Sequence, residues 1–470
     1  PREEQLRALR RQLLFSENPD EMLTLGGVAN LDPLSLDLNP REYTYGTSYF
    51  YLTAGAIGTW SLPGAVELRR NPIFYLARPS EMGRLYLAGR SLNVLFLLVL
   101  MLGVYLSAVE MGVTGRDAVL CAAAIGSLPG IITWGAVMKP HLPATALGML
   151  GFAMSLRLLN GVRKGRNYCF SVFLITCAAA LQYTCVLLIL FPVVALLRQV
   201  RKNELGRRTA LLWLAAGGIG SGIVFLLLNP FHLLNLETVR QDIAHTASMH
   251  SFQLMDAHLP LVVGFLLFCL CGPALLLLVG GLIRFVTTFS CRRILQHRLF
   301  PTAVVIFCIS IFATGHVVAG RYYANNARFL LLVLPQTIFL LHLINWQVNR
   351  KYFRLTCVVI ILTGIYVAGG HLMASTHYRP QYRAAEWIKA NVNQTATIGV
   401  SDEIAPFRYP PFPVLQNRVT KGPKEVLTKA DVVLASKPMP ELGQPEKVWR
   451  SSLPYFQLSF ADQRRSIYRP

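Results

Sequence analysis

A succession of apolar runs separated by short basic segments constrains this chain more than any other feature. The runs lie at roughly 92–110, 118–137, 142–159, 169–182, 184–198, 209–228, 259–283, 301–320, 329–347 and 355–374. Most approach the ~20 residues that a helix needs to cross a bilayer. With 53% hydrophobic residues, 15% charged residues and a mean hydropathy of +0.43, the 470-residue chain reads as an all-α polytopic membrane protein. The apolar runs predict about 10–11 transmembrane helices with a long outer segment before them. The stretch 47–66 is less apolar and contains Pro63, so it is expected to lie along the membrane surface.

The net charge of +21 would suggest nucleic acid as the partner of a soluble chain. Here the Lys and Arg residues sit in short loops between apolar runs, which is a topology signal and argues against nucleic acid. Basic clusters at Arg163-Lys164-Arg166, Arg198 to Arg208, Arg284 to Arg298 and Arg350 to Arg354 are expected on the cytoplasmic side. The loops 229–258 and 321–328 then fall outside, as do 1–91 and 376–470. This gives three regions: an outer loop over 1–91, a multi-span domain over 92–375 and a non-cytoplasmic C-terminal module over 376–470. The last is polar and predicts a helix near 381–391 with strands at 396–401 and 431–435, a small α/β segment.

Both flanks of 169–198 are basic, so this stretch must enter and leave on one side. The polar break Gln182-Tyr183-Thr184 is therefore expected to join two short helices that dip in and return, opening a lateral entrance for a lipid. The alternative is one tilted helix. The cysteines sit mostly inside apolar runs, with no CxxC, and read as small core residues. The chain starts with Pro1, so an anchor or first span is expected to precede it.

The acidic pair Asp20-Glu21 follows Asn18-Pro19 in a polar segment before the first long run. Two carboxylates there either open a helix, where they favour the positive end of its dipole, or supply a base to an acceptor hydroxyl. Arg84, Arg90, Lys139, Arg321 and Arg328 are candidate cations for a phosphate leaving group, and Arg321-Tyr322-Tyr323 with Arg328 is the best-placed set. The same Arg and Tyr residues also suit interfacial anchoring. Tyr43, Tyr45, Tyr49 and Tyr51 would stack on a sugar or, as the more common role, belt the membrane surface. No cofactor is required by the sequence. A divalent metal is a candidate on the outer loop carrying His232, His245, His250, His258, Asp242 and Asp256, although the spacing fits no standard ligand pair and loop histidines are often solvated.

Several segments together carry a family resemblance: NPDEMLTL at 18–25, NPREYTYGTSYFYL at 39–52, GRLYLAGRSLNVL at 83–95, MKPHLPATALGML at 138–150, NPFHLL at 229–234, ARFLLLVLP at 327–335 and YRAAEWIKANV at 382–392. In this order they resemble the GT-C glycosyltransferases, in the branch of RgtA/B/C/D-like enzymes, ArnT-like aminoarabinose transferases and protein O-mannosyltransferases (glycosyltransferase family 39). The resemblance implies a membrane enzyme that moves a sugar from a polyprenyl-phosphate donor to an acceptor hydroxyl on a glycan, lipid or protein. It implies transfer on the non-cytoplasmic face, with Asp20 as catalytic base and Glu21 beside it; a bacterial cytoplasmic membrane is the expected host, with an internal organelle membrane as the alternative. One departure stands out: where many relatives read Lys-Pro-Asp, this chain reads Lys139-Pro140-His141. The change leaves open whether this loop, with His141 able to accept a proton or bind a phosphate, contacts the acceptor, helps to hold a metal or has altered specificity; the alternative is that His141 is a surface loop residue. Two readings compete with the enzyme, a multi-pass lipid or solute transporter and an inactive protein of GT-C shape. No inverted repeat is evident, and the acidic pair sits outside the runs, which disfavours the transporter.

Overall fold

The computed structural model describes residues 20–69, 71–249, 334–374, 380–393, 395–401, 418–422, 429–435, 444–450 and 464–468, with isolated residues or short pieces near 14–18, 279–310, 331–332 and 439–442. Two compact units are present. The first comprises Pro1–Met22, Gly64–Tyr86 and Ala368–Pro470; the second comprises Leu23–Pro63 and Leu87–Val367.

The helices in chain order are α1 (Asp20–Ala29), α2 (Thr47–Ser61), α3 (Pro72–Ala77), α4 (Pro79–Glu110), α5 (Gly115–Gly126), α6 (Pro129–Gly135), α7 (His141–Leu159) and α8 (Lys164–Leu181). A 3-10 segment, Tyr183–Ile189, leads into α9 (Leu190–Arg201). Then come α10 (Arg207–Leu228), α11 (Phe231–Leu234), α12 (Leu236–Met249), α13 (Leu334–Val348), α14 (Arg350–Ala374) and α15 (Pro380–Asn391). Among the described residues, 5 helices are long and apolar enough to cross a membrane, or 6 if the pair α5–α6, bent by 58°, is one span. The bend falls where Pro129 starts α6, because proline at the first helical position pre-sets a helix start but cannot continue the one before it. The run 118–137 is thus broken rather than straight. The runs 259–283 and 301–320 lie outside the described residues, apart from a few short pieces.

The expected break near Gln182 is present, since Gln182 is extended (φ −141, ψ 108) between α8 and the 3-10 segment. The expected half-crossing lengths are not. The 18 residues of α8 span ~27 Å at 1.5 Å per residue, and Tyr183–Arg201 forms a further apolar helical stretch of 19 residues. Tyr183–Arg201 is long and apolar enough to cross, and α8 is close to it in length but is less apolar, because both helical stretches run on into the basic flanks. The α7–α8 packing is close and contains a small polar cluster: Ser171 Oγ donates to Gly151 O at 2.7 Å and lies 2.7 Å from Ser155 Oγ. Asp117 of α5 is almost fully buried. It accepts from Trp346 Nε1 at 3.1 Å and Arg354 Nε at 2.9 Å, tying α5 to α13 and α14.

In the first unit, the C-terminal segment forms a five-stranded sheet from β1 (Thr397–Ser401), β2 (Arg418–Gly422), β3 (Val432–Ala435), β4 (Lys447–Arg450) and β5 (Arg464–Tyr468). The order is β2-β1-β3-β5-β4, with β1 parallel to β2 and β3, and β5 antiparallel to β3 and β4. The expected helix and both expected strands are found. The central strand β3 is buried along its length, which explains its unbroken apolar sequence VVLA. Ala384 and Ile388, four apart on α15, are buried on one face.

Candidate active site

Asp20 and Glu21 form the first turn of α1. Asn18 caps that turn: its Oδ1 accepts from Asp20 N at 3.2 Å and its backbone carbonyl from Glu21 N at 3.0 Å. Asn18 is held in turn by Ser16 Oγ, which donates to the Asn18 carbonyl at 2.8 Å. The pair therefore does open a helix. Glu21 is fully buried and Asp20 half-buried. Burial of a carboxylate goes beyond what a helix start requires, because a buried charge is costly unless it is paired. One turn further on, the Thr24 hydroxyl donates to the Met138 carbonyl at 3.3 Å.

Lys139 lies in the turn between α6 and α7 and His141 opens α7, and both are buried, at 1% and 5% exposure. Asn93 of α4 builds this turn by donating from Nδ2 to Gly135 O at 3.0 Å and Val137 O at 2.6 Å. Gly89 of α4 lies against Met138 so closely that a Cβ there would stand 2.0 Å from the sulfur. Arg90, the next residue, is half-buried. The Lys139 ammonium lies 5.8 Å from the Trp134 ring centroid, within cation–π range. His141 meets the Tyr45 ring edge-on at 6.0 Å, and Tyr45 meets Tyr49 at 6.3 Å. His141 is thus not a surface loop residue.

From Tyr45 a buried polar knot extends through the second unit. Three helix ends satisfy one another there. The last carbonyls of α8 are capped from α2 and the residue before it, with Ser48 Oγ donating to Ala180 O at 2.7 Å and Gly46 N to Leu181 O at 3.3 Å. The first turn of α2 is capped by Asn229, at the end of α10, whose Oδ1 accepts from Thr47 Oγ1 at 3.0 Å and Ser48 N at 3.2 Å. Gly46 admits this approach because a Cβ there would sit 1.6 Å from the Ala180 carbonyl oxygen. Tyr43 O and Tyr45 O both accept from the Tyr183 hydroxyl, at 2.9 and 2.8 Å, and His232 Nε2 stands 2.7 Å from the same oxygen. Tyr183 has one proton, which faces the carbonyls, so His232 Nε2 must be the donor to its oxygen. His232 Nδ1 then carries the lone pair, and it has no hydrogen-bond partner among the described residues. Burial pushes the His232 imidazole down to about 4, so it is neutral near pH 7. Tyr43 completes the knot: its hydroxyl donates to Asn39 Oδ1 and accepts from Asn235 Nδ2, both at 2.7 Å, and its N–H donates to Asp242 Oδ2 at 3.2 Å.

Two sequence expectations are corrected by this geometry. Tyr43, Tyr45 and Tyr49 do not belt the surface; all three are buried, Tyr43 with its hydroxyl on Asn39 and Asn235, and Tyr45 and Tyr49 with their rings packed edge to face. His232 and Asp242 are not solvated loop residues, since α11 and α12 bring them onto Tyr183 and Tyr43. Among the described residues no group of three His, Cys, Asp or Glu is arranged to hold a metal ion. His250, His258 and Asp256 lie outside the described residues, as do Arg321 and Arg328. Of the remaining candidates, Lys139, His141 and Arg90 belong to the second unit, whereas Asp20 and Glu21 belong to the first. Arg84 is exposed and paired with Glu81 at 2.9 Å. Sequence reading passed over Tyr183 except as a turn. The signal available was a hydrogen-bonding side chain interrupting a long apolar stretch.

No family model matches the chain, and no curated protein sequence is similar to it. The structure is similar to ArnT from Cupriavidus metallidurans bound to undecaprenyl phosphate, with a TM-score of 0.51 at 11% identity, covering 98% of this chain and 96% of that one. Apo ArnT from the same organism gives a TM-score of 0.45 at 11% identity, covering 99% and 96% of the two chains. The oligosaccharyltransferase of Archaeoglobus fulgidus in complex with Zn and sulfate gives 0.43 at 13% identity, covering 92% and 67%. Taken with the apolar helices and the C-terminal α/β segment, the match to undecaprenyl phosphate-bound ArnT identifies an integral multi-pass membrane protein with the GT-C fold.

Proposed function

We propose that this protein is a glycosyltransferase that moves a sugar from a polyprenyl-phosphate donor to an acceptor hydroxyl on the non-cytoplasmic face of a bacterial cytoplasmic membrane. The observation that carries this reading is the GT-C fold over nearly the whole chain, shared with a protein that holds undecaprenyl phosphate. The chemistry needs three things. An acceptor hydroxyl of high pKa needs a base within hydrogen-bond reach, and Asp20, with Glu21 beside it, takes that role. The acceptor oxygen then forms a bond to the anomeric carbon as the bond from that carbon to the phosphate oxygen breaks, and the acceptor proton passes to Asp20. The polyprenyl phosphate leaves with the bonding electrons, and cations must meet its growing charge. Lys139, Arg90, Arg321 and Arg328 are assigned to the phosphate, and His141 to the acceptor or the phosphate.

The test is transfer of labelled sugar from a polyprenyl-phosphate donor in membranes containing the protein, compared with membranes lacking it. Donor consumption with labelled product supports the proposal. Vesicle uptake of solute without donor consumption would instead establish a transporter. Mass spectrometry of lipid that copurifies with the protein names the sugar.

A further inference from the structure

Outside the polar knot, an apolar groove opens on the face where α8 and α10 meet. The two helices leave a groove of about 210 Å³ whose walls include Tyr168, Val172 and Phe173 of α8 and Trp213, Gly220 and Val224 of α10. The walls are almost wholly apolar, and the Thr176 and Ser221 hydroxyls are turned onto partners: Thr176 Oγ1 stands 2.8 Å from Val172 O and 3.0 Å from Ser221 Oγ. Tyr168 and Trp213 stack at one end, with centroids 6.0 Å apart and planes 22° apart; Tyr168 is buried, and the half-buried Trp213 is the ring that suits headgroup depth. From Trp213 to Val224 the groove runs ~16 Å along α10, about half of a ~30 Å hydrocarbon core. That length fits the acyl chain of one leaflet and is short for a polyprenyl tail.

The charge at the aromatic end says which lipid. Arg163, Lys164 and Arg166 precede Tyr168, and Arg198, Arg201, Lys202, Arg207 and Arg208 precede Trp213, with Glu204 as the acidic residue among them. Glu204 pairs with Lys164 at 3.2 Å and Lys202 at 3.7 Å, and Lys164 holds its carboxyl below the usual range. Arg166, Arg207 and Arg208 remain exposed. Arg207 and Arg208 stand six and five residues, ~9 and ~7.5 Å along the helix axis, before Trp213, at headgroup distance from that ring and on the two faces of α10 that flank it. We infer that this groove binds an anionic diacyl phospholipid of the leaflet bordering the basic loops, its chain in the groove and its phosphate on Arg166, Arg207 and Arg208. This is independent of the sugar-transfer reading, because no residue assigned to that reaction lines the groove.

The test uses the purified, delipidated full chain in detergent, titrated with phosphatidylglycerol and with phosphatidylcholine of the same chains and read by native mass spectrometry. Phosphatidylglycerol should be retained about tenfold better or more, since each basic residue adds to the attraction of an anionic headgroup. Gly220 lines the groove and a Cβ there meets nothing within 4 Å, so Gly220→Phe starts its side chain into open space and is chosen to fill the groove. It should abolish retention while leaving the melting temperature unchanged. Arg207→Gln with Arg208→Gln should equalise the two lipids. Equal retention of both by the wild type overturns the proposal, as does wild-type retention by a stably folded Gly220→Phe, or undecaprenyl phosphate displacing phosphatidylglycerol at equal concentration. Should Gly220→Phe lower the melting temperature, the exposed double-arginine variant decides alone: an undiminished preference for phosphatidylglycerol overturns the proposal.

Discussion

At the scale of the residue, two groups carry separable predictions. Asp20→Asn keeps the shape and the N-terminal position in α1 but removes the basicity. Under the proposed reaction it should lower transfer by roughly 10²–10⁴, the usual contribution of a general base, with donor retention unchanged. Transfer near the wild-type rate by purified Asp20→Asn protein would remove Asp20 from the mechanism. His232 makes a prediction about stability instead. Its unfolded imidazole takes up a proton near 6.5, whereas burial in the fold holds the value down to about 4. The unfolded chain therefore binds the extra proton first as pH falls. The stability that neutral His232 provides is fully present above about pH 6.5 and is lost progressively on acidification toward 4. The wild-type melting temperature should fall between pH 7 and pH 5, and His232→Asn should show a shallower fall over that range. Parallel slopes for the two proteins would place the acid sensitivity elsewhere.

At the scale of the element, the convergence of α2, α8 and α10 is the feature most exposed to substitution. Gly46→Ala would drive a methyl group into the Ala180 carbonyl, a backbone atom that cannot rotate away. The cost should be at least the roughly 1–3 kcal/mol typical of overpacking, seen as a lower melting temperature or failure to accumulate in membranes. Tyr183→Phe removes the proton shared between two carbonyls and should cost about 1–3 kcal/mol, the penalty for buried groups left without a partner. Combined with His232→Asn, its effect should be less than additive, because both changes dismantle one network. Strict additivity of the two melting shifts would show that the 2.7 Å contact between them carries no coupling.

At the scale of the whole molecule, the charge pattern predicts sidedness. Lys202, in the basic turn between α9 and α10, should face the cytoplasm, and Ala390, in the exposed last turn of α15, should face outward. Single cysteines at these two positions, in a background without other cysteines, should react oppositely with an impermeant reagent added to intact cells. Labelling of both from outside would reverse or break the proposed topology.

Much of this architecture was legible in the sequence because it rests on local signals. Apolar runs of bilayer length mark α4, α7, α10 and α14, Gln182 marks a break, and the unbroken VVLA marks the central strand. Asn18 ahead of two carboxylates marks a helix start for the same reason. The burial of polar groups was not legible. Tyr183 reaches a carbonyl 140 positions away, Asn229 caps a helix 182 positions away, and Asn235 meets Tyr43 across 192. A tyrosine or histidine beside an apolar run has two outlets for its polar atom, the interface or a distant partner, and only packing decides between them. The sequence by itself determined that this chain is a multi-span helical membrane protein with a small α/β segment, because hydrophobic length and period act on neighbours. Only the tertiary structure decided that Lys139, His141, Tyr43 and His232 lie buried, because the groups that surround them are brought there by other helices.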